Sequence, residues 1–393
     1  MACEVEWIPL GDIVNLSSGG TPDKKQPAYW DGEIPWISAK TLTGDTVTTS
    51  NLFITEEGLH AGSKLAPVGS ILLLTRGSGL FKRIPLAIVN APVAYNQDVK
   101  CMTSKVTTIT NEYVFFALKA LSPELTNMLE TTGIGAGKLA TDRLLDMPIP
   151  VLSHDEREKA VSFFSALSRK IMINNRINDY LEQLVDGKFQ ELFGGLNFNA
   201  TLSDVAEITM GQSPAGSSYN EEGAGIIFYQ GRGEFGWRFP KRRLYTTEPK
   251  RLACEGDVLM SVRAPVGDLN VAFENCCIGR GLAAIHSETP SFALYLMRFL
   301  KPQLEAYNGE GTVFGSINGK ALKSLEVALP SHNEVMQFES FAAPIDALIR
   351  SNENETRKLN NLRNYLLPKL MSGEIDVSKV DLTQLTNNHL ADC

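Results

Sequence analysis

The chain has 393 residues, 43% of them apolar and 21% charged, with a formal net charge of −8. Two or more domains with separate cores are expected at that length, and the lack of low-complexity tracts argues against extended disorder. The acidic balance excludes a protein that coats nucleic acid through a uniformly basic surface, and apolar runs such as Ser70 to Thr75 fall well short of the roughly 20 residues that span a bilayer.

No charged-then-apolar leader occupies Met1 to Leu10, and the six cysteines (Cys3, Cys101, Cys254, Cys276, Cys277, Cys393) are irregularly spaced, so reduced thiols and a cytoplasmic location are expected. The first structured block, Leu10-Gly-Asp-Ile-Val-Asn-Leu-Ser-Ser-Gly-Gly-Thr-Pro22, returns as Leu202-Ser-Asp-Val-Ala-Glu-Ile-Thr-Met-Gly-Gln-Ser-Pro214. A second, Gly69-Ser-Ile-Leu-Leu-Leu-Thr-Arg76, returns as Gly256-Asp-Val-Leu-Met-Ser-Val-Arg263; each reads as a turn, a buried strand and a terminal arginine. Tyr95-Asn-Gln-Asp98 then stands where Ile278-Gly-Arg-Gly281 stands later, and Ser153-His-Asp-Glu156 answers Ser331-His-Asn-Glu334. The repeat predicts an α+β chain: two α/β domains in tandem (residues 1–150 and 196–328), separated by two long helices (151–195 and 329–376) packed as an antiparallel coiled coil with pseudo-twofold symmetry. The polar tail, 377–393, is expected to fray.

In the first helix Phe164, Leu167, Ile171, Asn174, Asn178, Leu181, Val185, Lys188 and Leu192 alternate by three and four. In the second the seam runs Ala342, Ile345, Ile349, Asn352, Thr356, Leu359, Arg363, Leu366 and Leu370. Ser153 and Ser331, each followed three residues later by Glu, are expected to form capping boxes. Asn174 and Asn352 occupy equivalent places, where a buried amide would fix register at the expense of stability; the alternative is that they face water at the edge of the coil. A stiff helix pair carrying a reading head at each end would hold two short sites at a fixed spacing and leave the bases between them unread.

These residues resemble the specificity subunits of type I restriction-modification systems over essentially the full length. The resemblance is carried by Trp7-Ile-Pro-Leu-Gly-Asp-Ile13, Leu202-Ser-Asp-Val-Ala-Glu-Ile208, Cys276-Cys-Ile-Gly-Arg-Gly-Leu-Ala-Ala-Ile285, Leu325-Glu-Val-Ala-Leu-Pro-Ser-His332 and Arg363-Asn-Tyr-Leu-Leu-Pro-Lys-Leu-Met-Ser-Gly-Glu-Ile375. It implies two target-recognition domains that each read half of a bipartite double-stranded DNA site, with the helices as spacer. It also implies two modification subunits that methylate adenine N6 with S-adenosylmethionine, and two restriction subunits that use ATP and magnesium to translocate and cleave DNA. No catalysis and no cofactor are implied for this chain. The first domain departs from the pattern where Tyr95-Asn-Gln-Asp98 replaces Gly-Arg-Gly.

Base edges are read by arginine, asparagine and glutamine, and the readers are expected in loops. In the first domain the candidates are Ser17, Ser18, Gly19, Gly20, Thr21, Lys40, Arg76, Ser78, Lys82, Arg83, Asn96, Gln97 and Lys138. In the second they are Gln212, Ser213, Ser217, Tyr219, Arg232, Trp237, Arg238, Lys241, Arg242, Arg243, Arg263, Arg280 and Thr312. Between Phe228 and Arg263 eight cations face four carboxylates, a local basic stretch in an acidic chain. The bland alternative for each is a solvated charge or a structural ion pair; Arg76 and Arg263, matched at strand ends, could hold their domains together instead. The Gly-rich loops 133–138 and 309–316 could offer amides to phosphates.

Two other functions are weighed. A nucleotide-dependent enzyme with two lobes would use Gly231-Arg-Gly-Glu-Phe-Gly236, but that motif needs a helix next, and Pro240 follows closely. A scaffold would use the coiled coil alone. Gly133-Ile-Gly-Ala-Gly-Lys138 has Leu139 where a phosphate-binding loop has Ser or Thr, and neither the cysteine nor the histidine spacing suggests a metal site.

Overall fold

Apolar side chains on both sides of a strand require cover on both faces, and that is how each repeat copy folds. The computed structural model describes residues 5–133, 135–308 and 315–376. It forms two compact units, residues 1–173 with 355–393 and residues 174–354.

In the first unit a five-stranded sheet runs in the order Val14–Ser18, Val99–Ser104, Ile71–Leu74, Leu86–Val89 and Thr46–Val47. Its first three pairings are antiparallel. A four-stranded sheet follows the order Phe53–Ile54, Trp30–Ile37, Val93–Tyr95 and Lys64–Ala66, in which Val93–Tyr95 runs parallel to Trp30–Ile37. Ile71, Leu73 and Met102 point into one core, with the helix Asn111–Ala120 and Phe163 and Phe164 of the first long helix. Leu72, Leu74 and Cys101 point into another, with Ile37, Val93 and Tyr95 of the second sheet. The period-two alternation therefore feeds two cores from one strand, which explains an uninterrupted apolar run.

The second unit repeats this plan. Its four-stranded sheet runs Glu207–Met210, Leu282–His286, Val258–Ser261 and Leu269–Val271, matching the first four strands above in order and direction. Cys276–Ile278 lies parallel to Ile226–Tyr229 and antiparallel to Leu252–Ala253, again as in the first copy. Val258, Met260 and Ile285 enter a core with Phe292 and Tyr295, while Leu259, Leu282 and Ala284 enter one with Ile227, Tyr229 and Ile278.

The long helices span His154–Phe193 and His332–Met371. At both starts the glutamate side chain caps the serine: Glu156 accepts from the Ser153 amide at 3.2 Å and hydroxyl at 2.6 Å, and Glu334 from those of Ser331 at 2.8 and 2.7 Å, with the Glu334 amide donating back to Ser331 Oγ at 3.4 Å. Each unit contains one half of each helix, packed antiparallel. In the first unit Phe163 and Phe164 share a core with Leu366, Leu367 and Leu370, and Lys170 pairs with Glu355 at 3.0 Å. In the second, Asn178 Oδ1 accepts from Asn352 Nδ2 at 2.8 Å, while Phe189 and Phe193 pack on Phe338.

Along the seam Phe164, Asn174, Asn178, Val185, Ala342, Ile349, Thr356, Leu359, Leu366 and Leu370 are buried, and Leu167, Ile171, Leu181, Ile345 and Asn352 are half-buried. The alternation changes at the end of the first helix. Leu192 is exposed and Lys188 pairs with Glu191, because beyond Val185 a straight helix carries Phe189 and Phe193 onto the inner face instead. Arg363 turns out of the seam to pair with Asp45 at 2.8 Å.

Residues 231–236 hold one short turn, Arg232–Glu234, with no helix after it, so the dinucleotide motif lacks its structural context. The loop 133–138 ends in the strand Gly137–Lys138, paired with Arg76–Gly77. Among the described residues no helix is long and apolar enough to cross a membrane. The tail 377–393, Thr312, Cys3 and Cys393 lie outside the described residues.

Candidate nucleic-acid interface

The repeated glycine at the end of the first strand shows how the candidate surface is built. A Cβ on Gly19 would lie 2.0 Å from the Tyr95 carbonyl oxygen, and one on Gly211 would lie 2.1 Å from that of Gly279. With no side chain in the way, the Gly20 amide donates to the Tyr95 carbonyl at 2.9 Å, and the Gln212 amide to that of Ile278 at 3.0 Å. Two loops are thereby joined in each unit. Thr21 Oγ1 donates to Gln97 Oε1 at 2.6 Å in the first, and the Arg280 amide donates to Ser213 Oγ at 3.3 Å in the second.

A third and a fourth segment attach in the same way. The Thr75 amide donates to the Asp98 carbonyl at 2.8 Å and the Val262 amide to that of Gly281 at 2.9 Å, which seats Arg76 and Arg263 beside the joined loops. The Leu139 amide donates to the Thr75 carbonyl at 2.8 Å and the Ile317 amide to that of Val262 at 3.1 Å. Lys138 consequently lies opposite Arg76, and Ser316 opposite Arg263. Each unit ends in an edge where four segments converge, bearing Thr21, Gln97, Arg76 and Lys138 in one case and Gln212, Ser213, Arg280 and Arg263 in the other.

Among the described residues Arg76, Lys138, Arg263 and Arg280 form no ion pair, nor do the exposed Lys40, Lys82 and Lys241. Beside Arg76 the Lys100 ammonium is held below its usual range, first by burial and then by the Arg76 charge, with Asp98 opposing. Lys100 Nζ donates to Ser18 Oγ, and Ser17 shares a 2.7 Å bond with the Tyr95 hydroxyl, whose pKa burial pushes up to about 12. Ser78 is exposed in the turn Ser78–Phe81, and Arg83 donates to the Leu42 carbonyl at 3.2 Å. Ser217 is exposed, and Tyr219 is half-buried, its hydroxyl donating to the Pro214 carbonyl and its ring 4.9 Å from Phe228.

The basic stretch of the second unit is where the structure departs most from expectation. Arg238 is 4% exposed and pairs with Glu182 at 3.1 Å and Asp346 at 3.0 Å, one carboxylate on each long helix. It also donates to the Tyr295 hydroxyl at 3.2 Å and lies against the Trp237 ring, so it fastens the domain to the helices and has no path to a base. Arg232 pairs with Asp268, Arg242 with Glu274 at 2.6 Å, and Arg243 with Glu221 at 3.2 Å and Glu234 at 2.6 Å. Four of the eight cations are thus neutralised, whereas Lys241, Lys250, Arg251 and Arg263 form no ion pair among the described residues, and Trp237 is 42% exposed. Asn96 is likewise a structural residue: it is 6% exposed, and its Oδ1 accepts from the Asp98 and Val99 amides, shaping the turn that presents Gln97.

Cys254, Asp257 and His286 bring three metal-capable atoms within 4.8 Å of one another. The Asp257 carboxylate is already engaged, by the Cys254 amide at 2.8 Å and by His286 Nδ1 at 2.7 Å, and the latter bond raises the His286 pKa.

Fold and edge together define a duplicated binding protein, in which two copies of one loop framework present different side chains. The chain belongs to the type I restriction modification DNA specificity domain family, whose model matches it twice, over residues 4–183 and 199–364. It is 41% identical over 257 residues to a putative type I restriction enzyme MjaX specificity subunit of Methanocaldococcus jannaschii, covering 59% of this chain and 60% of that one. It is 31% identical over 195 residues to the EcoR124I/EcoR124II specificity subunit of Escherichia coli, covering 46% and 48%. These matches span less than two thirds of either relative's length. The type I restriction-modification system S subunit from M. genitalium shares the fold, with a TM-score of 0.60 and 13% identity over 94% of this chain and 96% of that one.

Proposed function

We propose that the chain reads a two-part double-stranded DNA sequence, one half per unit, and aims separate partner subunits at it. The carrying observation is the repeated edge: one backbone framework presents Thr21, Gln97, Arg76 and Lys138 in one unit and Gln212, Ser213, Arg280 and Arg263 in the other. Exposed amides and unpaired cations on a fixed frame suit the reading of base edges and the holding of phosphates. Because the side chains differ, the two half-sites differ. The chain performs no bond-making step itself; modification subunits supply adenine N6 methylation with S-adenosylmethionine, and restriction subunits supply ATP- and magnesium-dependent translocation and cleavage.

The outer face of the first long helix supports a role in holding partners. Ile177, Tyr180 and Leu184, spaced by three and four, are 40%, 56% and 53% exposed, an apolar stripe suited to a helix of a modification subunit. The decisive experiment is co-expression with the cognate modification subunits, followed by mapping of methylated adenines. A motif of two short elements separated by unread bases is expected; an uninterrupted motif, or no sequence-dependent methylation, would refute the proposal.

A further inference from the structure

Beside the strand Glu207–Met210 the edge of the second unit continues into an open depression of about 810 Å³. Arg251, Lys320 and Lys323 line it with the hydroxyls of Ser203 and Ser324, against a single carboxylate, Glu207. All three cations are exposed, and among the described residues none forms an ion pair. This is the reverse of the nearby Arg232, Arg242 and Arg243, each held by its own carboxylate.

Position ties the depression to the reading edge. The Ile278 amide donates to the Arg251 carbonyl at 2.9 Å, while the Ile278 carbonyl accepts from the Gln212 amide at 3.0 Å, so Arg251 and Gln212 flank the same residue. Gly319, at the start of the turn carrying Lys320 and Lys323, packs on Met210, two residues before Gln212. The first unit bears a cation in the corresponding place: exposed Lys64 stands opposite Tyr95, whose carbonyl accepts from Gly20 as that of Ile278 does from Gln212.

We propose that this depression binds backbone phosphates of duplex DNA flanking the half-site of the second unit, with Lys64 as its counterpart in the first. Such contacts set register on the duplex and carry no sequence information. The proposal rests on the DNA-reading role given above, and its test separates the two. The full chain, assembled with its modification subunits, is titrated onto a duplex bearing the mapped motif and onto a scrambled duplex over a range of salt concentrations. In the variant Arg251→Gln, Lys320→Gln, Lys323→Gln, affinity should fall by a similar factor on both duplexes, about tenfold or more near physiological salt. The salt slope should become shallower by about 3, roughly one for each phosphate no longer neutralised. The methylated motif should stay the same, and the charge-preserving variant Arg251→Lys, Lys320→Arg, Lys323→Arg should behave as wild type. Unchanged affinity and slope, an altered motif, or equal weakening in the charge-preserving variant would each overturn the phosphate assignment. A wild-type complex that does not prefer the motif duplex would instead sink the DNA-reading role and this site with it.

Discussion

Replacing Arg238 with alanine separates a structural cation from a base reader. The guanidinium lies 3.1 Å from Glu182 and 3.0 Å from Asp346, whose side chains are only 16% and 19% exposed. Its removal leaves Asp346 without its cation, whereas Glu182 keeps Arg298 at 2.9 Å. Breaking a buried pair by deleting one member costs about 3–5 kcal/mol, and the surviving Arg298 pairing favours the lower end, about 3 kcal/mol. For a unit of this size that corresponds to a fall of about 6–12 °C in the melting temperature of the second unit. Differential scanning calorimetry of the full chain should show the shift in that unit's transition. Replacing Arg238 with Met together with Asp346→Asn should recover most of the stability, since the orphaned charge goes with the cation while Glu182 stays paired with Arg298. An alanine variant that melts like wild type yet changes the DNA motif would refute a structural role for Arg238.

Three further outcomes are expected. Asn352→Leu should destabilise the chain by about 1–3 kcal/mol in denaturant titration by stranding the buried Asn178 amide, while the double variant Asn178→Leu, Asn352→Leu should recover or exceed wild-type stability, because Asn178 Nδ2 is already without a partner. Gly211→Ala should cost about 1–3 kcal/mol or more, since its methyl would meet the Gly279 carbonyl, and limited proteolysis should then cut at the Gln212 and Arg280 loops. His286, bonded to Asp257, should titrate above the ordinary value of about 6.5 by NMR and return towards it in Asp257→Asn. Because the folded-state pKa is the raised one, the pair's contribution is present below the unfolded value and is lost as pH rises through the folded one.

The sequence carries much of this plan openly. The strand runs Ile71–Leu74 and Val258–Ser261 declare two-sided burial through uninterrupted apolar character, and Ser153 with Glu156 marks a helix start from local chemistry alone. Arginine pairing is a different matter. Arg238 finds partners 56 and 108 residues away, and Arg242 finds Glu274 at a distance of 32, so residue type announces charge but not whether a carboxylate already satisfies it. Lys320 and Lys323 carry no mark in the sequence that separates them from other lysines; the fold alone sets them with Arg251 and Met210 around one depression. Lys64 and Arg251 leave a faint trace in the repeat, but the strands that hold them are only a few residues long and their register follows from pairing.

The first unit is closed by residues far apart in the chain: Leu366, Leu367, Leu370 and Met371 fill the core begun by Leu10, Ile13 and Ile71. During synthesis the earlier-made part must therefore wait, with one wall missing, until the codons for that distant segment have been read. The second unit, made of one continuous stretch, can finish while its elder sibling is still open. A chain ended just after residue 354 would thus keep the later portion whole while the earlier portion lacked Leu366, Leu367, Leu370 and Met371 from its core.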